Sequence, residues 1–268
     1  MTWDIGGHVV SDVGCVRDLN EDRGRIVQPA DEAEQARRGV LAIVADGMGG
    51  HSAGEVASEL AVDAVHRAYY AQDGPPDAAL VAALQQANRA IFDTASAERR
   101  LAGMGTTCVA LAICDGHAHA ASVGDSRLYL LRDGGIYRMT NDDSAVGELV
   151  TRGLLTRSEA RHHADRNVIL RALGTHDDVH VSRWEQPLPV RGGDVFLLCS
   201  DGLTDLVEDE EIAALVQERH GADACKSLVA TARSRGGHDN ITVALLRISA
   251  HVSEPVAAPA TRELRAIR

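Results

Sequence analysis

Five short apolar runs constrain this 268-residue chain most: VLAIVA from Val40, TCVALAIC from Thr107, RLYLLR from Arg127, DVFLLC from Asp194 and ITVALLRI from Ile241. Each has the length and content of a core strand, and none approaches the ~18 uninterrupted apolar residues of a membrane span. LYLLRDGGIYRM joins two such runs through Asp133-Gly134-Gly135, a hairpin signal because these residues tolerate positive φ. Two longer segments carry helical spacing instead, with apolar positions Val56, Leu60, Ala64, Ala68 and then Leu80, Leu84, Ala87, Ile91. QDGPPD between them stops one helix and caps the next. Successive helices followed by hairpin-linked strands suit an α+β fold with antiparallel sheet better than a strictly alternating parallel one.

With 45% hydrophobic residues the chain can bury a sizeable core as one domain, and with 3% aromatics that core must be filled by Leu, Val, Ile and Ala. We read residues 1–250 as the folded domain. Between Asn141 and Arg171 the strand pattern lapses into short polar helices, a surface subdomain, and the segment 251–268 reads as a flexible tail. A net charge of −12 with no compensating Lys/Arg run argues against nucleic acid as a partner. MTWDIGGHVV lacks the charged start and apolar run of a secretory signal, so a cytoplasmic protein is expected. The five scattered cysteines fit a reduced compartment, and none is followed six positions later by the arginine that a thiol-based phosphatase loop requires.

The aspartates fall at suggestive places. IVADG ends a strand at Asp46-Gly47, LLCSDG ends another at Asp201-Gly202, and ASVGDS brings Asp125 to the end of a third extended run. Asp239 in GGHDNITV immediately precedes the last strand, and RDLNED adds Arg17, Glu21 and Asp22. One Asp-Gly pair is ordinarily a turn. Repeated carboxylates at the rims of buried strands are a rigid platform for a metal, and Gly47, lacking a Cβ, lets its own carbonyl face the same ion. An all-oxygen set selects Mg²⁺ or Mn²⁺ over zinc. The glycine-rich stretch VADGMGGHSAGE does not read as a phosphate cradle: Gly54 is followed by Glu55 and Val56 where a Walker loop needs lysine and a hydroxyl, and the dinucleotide fingerprint fails at Ser52.

Taken in order, RDLNED, VADGMGGHSAGEVAS, GMGTT, SVGDSRLYLLRDG, NVILRALG, LLCSDGLTDLV and GGHDNITV resemble the metal-dependent protein phosphatase family (PP2C/PPM) in its bacterial form, from about Val13 to Ile248. The resemblance implies a four-layer α-β-β-α sandwich, two central antiparallel sheets flanked by helix pairs, with metals in a cleft at one end. It implies hydrolysis of phosphoserine and phosphothreonine in proteins by attack of a metal-bridging water, without a phosphoenzyme. Carried over by motif, Asp46 would bridge two Mn²⁺ or Mg²⁺ ions, with Glu21 and the Gly47 carbonyl on one side and Asp201 and Asp239 on the other. Asp125 would serve a third, weaker ion together with Asp201, and Arg17 would bind the substrate phosphate. The implied partners are phosphorylated proteins and a cognate Ser/Thr kinase, acted on by a monomer. Residues 144–170 would form the family's flap beside the cleft. A phosphoprotein-binding pseudophosphatase and a small-phosphomonoester phosphatase are the alternatives.

Two departures from the wider family matter. Met48 stands where eukaryotic relatives carry a histidine after the bridging Asp-Gly, and TNDDS has Asp143-Ser144 where many relatives have Asp-His-Ser. The source of the leaving-group proton is therefore unassigned. His51 reads as a residue of the helix start or surface, the His117/His119 pair as one face of a strand, and His162-His163 as solvated.

Overall fold

The computed structural model of the protein describes residues 3–49 and 53–250. Its architecture follows from the two-residue period of the apolar runs. In the strand Val40–Met48, Val40, Ala42 and Val44 point one way, into a cluster with Val109, Leu111, Leu128, Phe196, Leu198, Ala244 and Leu246. Leu41, Ile43 and Ala45 point the other way, onto Ala57, Ala61, Val65, Leu80, Leu84 and Ile91 of two helices. A strand covered on both faces has no polar side to show, which is why these runs read as continuous apolar stretches.

One sheet orders its strands as Trp3–Asp12, Ile241–Ala250, Val195–Cys199, Arg127–Arg132 and Gly135–Arg138. The other runs Leu188–Pro189, His117–Val123, Cys108–Cys114, Val40–Met48 and Asp22–Val27, with the short strands Gly105–Thr106 and Ser182–Arg183 pairing off that path. Every pairing is antiparallel. Helices Ala53–Ala71 and Pro76–Ala97 cover the outer face of the second sheet, while Ile212, Val216, Cys225 and Leu228 of helices Asp209–Glu218 and Ala222–Ser234 cover Tyr129, Leu131, Leu197 and Leu245 of the first. This is the expected four-layer α-β-β-α sandwich.

The hairpin at Asp133-Gly134 is present, both residues adopting positive φ, 53° and 81°. The stripe of the Pro76–Ala97 helix, Leu80, Leu84, Ala87 and Ile91, is fully buried as read. The stripe of the preceding helix needs correction. Val56, Leu60 and Ala64 are only partly buried, and Ala57, Ala61, Val65, Ala68 and Tyr69 carry the buried face. Ala57 and Ala61 let the first half of this helix lie close to the sheet, while Val65 and Tyr69 are buried further along it. The strand Trp3–Asp12 escapes the apolar-run criterion because it is a half-exposed edge containing Gly6 and Gly7, yet it pairs along its whole length with Ile241–Ala250.

Between Asn141 and Arg171 lie the short helices Ala145–Thr151 and Arg157–Arg161. Ser144 caps the first by accepting the Gly147 N–H at 3.1 Å, and Thr156 with Glu159 forms a capping box on the second. Among the described residues no helix is long and apolar enough to cross a membrane. The segment 251–268 and His51 lie outside the described residues.

Candidate metal centre

Asp46 sits near the end of the strand Val40–Met48, and its backbone is pinned from the neighbouring strand. Its N–H donates to Thr107 Oγ1 at 3.0 Å, while its carbonyl accepts from the Thr107 N–H and the Thr106 hydroxyl, both at 2.8 Å. In register directly opposite stands Asp22, which is 1% exposed. Ser200 Oγ donates to Asp22 Oδ2 at 2.7 Å and accepts the Thr242 N–H at 3.0 Å. Two carboxylates of the second sheet therefore face each other across a ladder before the first sheet adds its own.

Gly47 is where the chain is tightest. A Cβ there would meet the Gly54 carbonyl oxygen at 2.1 Å and the Glu21 carbonyl oxygen at 2.6 Å. The Gly47 N–H donates to that Glu21 carbonyl at 3.2 Å, and the Gly54 N–H, in the first turn of the helix Ala53–Ala71, donates to Glu21 Oε1 at 3.1 Å. The Glu21 carboxylate thus rests on the positive end of a helix.

From the first sheet, Asp201 opens the short helix Asp201–Thr204 just past Val195–Cys199, and Asp239 lies just ahead of Ile241–Ala250. Those two strands are neighbours, so the carboxylates leave the sheet at the same end. Arg17, half-exposed on its loop, donates from Nη2 to Asp239 Oδ2 at 2.8 Å. Asn240 holds that loop in place: its amide donates to the carbonyls of Val13 and Leu19 at 3.0 and 2.9 Å, and its Oδ1 accepts the Glu21 N–H at 2.8 Å. Asp125, 7% exposed, follows the strand His117–Val123 and is tied to Asp46 through Ser126 Oγ and Thr107 Oγ1, 2.8 Å apart.

The carboxylates feel one another. Burial, followed by repulsion from Asp22, Asp201, Asp125 and Asp239, holds the Asp46 carboxyl well above its usual range, although its edge still meets solvent. Burial and then Asp201 and Asp142 do the same to Asp125. Burial pushes Asp22 up to about 7, and burial with Asp205 and Asp239 pushes Asp201 up to about 6. Glu21 is raised mainly by burial, against the opposing pull of the Gly54 N–H and Arg17. One oxygen of each of Asp22, Asp125 and Asp201 is buried with no hydrogen-bond partner among the described residues.

A set of oxygen donors that repel one another, three of them with orphaned oxygens, fits hard divalent cations, whose charge reverses both penalties. The groups converge without closing into a ready cage; among the described residues no three His, Cys, Asp or Glu side chains form an assembled ion-binding cluster. The sequence-derived candidates Arg17, Glu21, Asp46, Gly47, Asp125, Asp201 and Asp239 are all brought to this end of the sandwich. The His117/His119 pair is not: both line a separate cavity with Cys114 and Arg37. Asp22 carried no separate role in the sequence, and only its register opposite Asp46 reveals one. Thr107 and Asn240 lie inside the quoted motifs GMGTT and GGHDNITV, but their hydrogen bonds join segments far apart in the chain.

Residues 20–236 match the sequence profile of the family described as Protein phosphatase 2C. The serine/threonine phosphatase stp of Listeria innocua is 37% identical over 88% of this chain and 93% of its own length. The crystal structure of the Mycobacterium tuberculosis serine/threonine phosphatase PstP/Ppp is similar with a TM-score of 0.81 and 38% identity, covering 92% of this chain and 99% of that one. A further solved structure, the catalytic domain of PstP in complex with two manganese ions, gives a TM-score of 0.78 at 37% identity over 93% of this chain and all of that one. The profile match spans Glu21, Asp22, Asp46, Asp125 and Asp201 of the acidic centre, and the chain belongs to the protein phosphatase 2C family.

Proposed function

We propose that the protein is a metal-dependent serine/threonine phosphatase acting on phosphorylated proteins. The observation that carries this reading is the convergence of Asp22, Asp46, Asp125, Asp201 and Asp239, with orphaned buried oxygens, beside Arg17. Asp46, Glu21, the Gly47 carbonyl, Asp201 and Asp239 would hold two Mn²⁺ or Mg²⁺ ions, and Asp125 with Asp201 a third. Bound there, the ions supply Lewis acidity at the phosphoryl oxygens and a water nucleophilic at neutral pH.

The chain's own residues do the rest. Arg17 carries a permanent charge, and among the described residues only its Nη2 is engaged, by Asp239. Its other N–H groups would form charge-assisted hydrogen bonds to a phosphoryl group. On a chain of net charge −12 this local cation is what admits a dianionic ester. Thr106 and Thr107 fix the Asp46 backbone, Asn240 fixes the Arg17 loop, and buried Asp22 orients through Ser200, so the acidic ring is preorganised by groups that do not themselves react.

Residues 1–250 would form the catalytic domain, with 144–170 as the flap. The physiological setting we infer is a cytoplasmic monomer opposing a bacterial Ser/Thr kinase. Phosphate release from a phosphothreonine peptide, measured with Mn²⁺ and again in EDTA, tests the reading. Metal-dependent release abolished in Asp46→Ala supports it, and a folded protein with no metal-dependent release overturns it.

A further inference from the structure

Asp125 is held from two sides of different character. Toward the core, Ser126 Oγ and Thr107 Oγ1 link it to the Asp46 backbone, and both hydroxyls are buried. Gly124, at φ +100°, leaves no room to retreat, since a Cβ there would meet Thr107 at 2.7 Å. Toward the surface, Gly124 and Asp143 grip each other twice: the Gly124 N–H donates to Asp143 Oδ2 at 3.1 Å, and the Asp143 N–H donates to the Gly124 carbonyl at 2.9 Å.

Asp143, 5% exposed, uses its other carboxylate oxygen to accept from the Arg171 guanidinium. Its carbonyl accepts the Leu170 N–H at 2.7 Å, and the Ala145 N–H donates to the Val168 carbonyl at 2.8 Å. Asp143 therefore clasps both the outgoing and the returning limb of the segment 144–170. The adjacent Asp142 serves the sheet instead, paired with Arg127 at 2.9 Å and with Arg138. Asp125 itself lines a cavity of about 530 Å³ together with Val146, Gly147, Val150 and Arg161 of the same segment.

We propose that Asp143 is a positioning residue that, with Arg171, couples the seating of the segment 144–170 to the placement of the Asp125 carboxylate. This rests on the phosphatase reading, in which Asp125 receives a cation. A cation drawing on Asp125 pulls on Gly124, and through Asp143 steadies both limbs of the segment; a substrate that seats the segment strengthens cation binding by the same factor, because coupling is reciprocal. Arg171 is half-exposed, so replacing it loosens the clasp without opening the core.

Amide hydrogen exchange on the full chain, with and without Mn²⁺, reads the coupling directly. Mn²⁺ should slow exchange at Ala145 and Leu170 by about fivefold or more in the wild type, and Asp125→Asn should abolish that response. Arg171→Met should remove most of it and Arg171→Lys should retain it, while the KM for a phosphopeptide rises several-fold more than the KM for a small aryl phosphate. Arg171→Gln replaces Arg171→Met if the latter melts early. A wild-type Mn²⁺ response in the folded Met or Gln variant, no response in the wild type, or equal kinetic losses on both substrates would each overturn the coupling. Wild-type turnover of the aryl phosphate with Mn²⁺ in the same samples keeps that failure distinct from failure of the phosphatase reading.

Discussion

Gly47→Ala separates the geometry of the acidic centre from its charge, because it adds one methyl group and no electrostatic change. The new Cβ would lie 2.1 Å from the Gly54 carbonyl oxygen, 2.5 Å from its carbon and 2.6 Å from the Glu21 carbonyl oxygen, all backbone atoms, where ordinary contact begins at 3.4 Å. The strand end and the start of the helix Ala53–Ala71 must therefore separate by roughly 1 Å, a strain of about 1–3 kcal/mol. Losing the Gly47 N–H bond to Glu21 adds about 1 kcal/mol, for about 2–4 kcal/mol in all. In a chain of this size each kcal/mol moves the midpoint by about 2–4 °C, so the variant should melt about 4–16 °C lower by calorimetry in EDTA. Because the displaced carbonyls flank Asp46, kcat/KM with Mn²⁺ should fall about 100-fold or more. Gly6→Ala is the control: among the described residues nothing lies within 4 Å of its Cβ, and its stability should stay within about 1 kcal/mol of the wild type. A Gly47→Ala protein with wild-type melting and wild-type kcat/KM would refute the close-approach reasoning.

Other expectations bear on charge. Asp46→Asn should lower Mn²⁺-dependent turnover about 10³-fold or more and weaken the first binding event in a calorimetric titration, since under the proposed reading several kcal/mol of cation-borne stabilisation would pass through that carboxylate. Arg17→Ala should cost about 10–150-fold in kcat/KM on a phosphopeptide, the worth of a charge-assisted hydrogen bond, with Arg17→Lys recovering part; an unchanged value would remove Arg17 from phosphate binding. For pH, Asp22 and Asp201 have folded values of about 7 and about 6, above the 3.8 of the unfolded chain. The protonated folded form is thus favoured, a contribution full below about pH 4 and lost as pH rises through 6 and 7. His66 and His119, lowered chiefly by burial, act in the opposite sense only up to about pH 6.5. Melting midpoints in EDTA should therefore fall between pH 6.5 and 8, less so in Asp22→Asn, and Mn²⁺ should restore more at pH 8 than at pH 6.5. A midpoint in EDTA that rises over that interval would contradict the raised carboxylates.

What could be read along the chain was whatever one strand carries alone. Asp46, Asp125 and Asp201 each close an apolar run, and Asp239 opens one, so residue type and strand rim were visible together. The edge strand Trp3–Asp12 and the helices Asp209–Glu218 and Ala222–Ser234 lacked an apolar run as plain, one being half-exposed and the others amphipathic. Asp22 lay in view inside RDLNED, yet its carboxyl acquires meaning only from Asp46 opposite and Ser200 beneath.

The sequence by itself determined the α+β class, the buried strands and the residues able to offer oxygen to a hard cation, because alternation, turn glycines and carboxylate chemistry are local properties. Tertiary structure alone decided that two sheets place those carboxylates at one end, that Asn240 pins a loop more than 200 positions away, and that Asp143 bridges Asp125 to the segment beside it. Raised pKa values, orphaned oxygens and clasps arise from summed fields and shared hydrogen bonds among groups far apart in the chain, and those sums exist only once the sheets are paired and stacked.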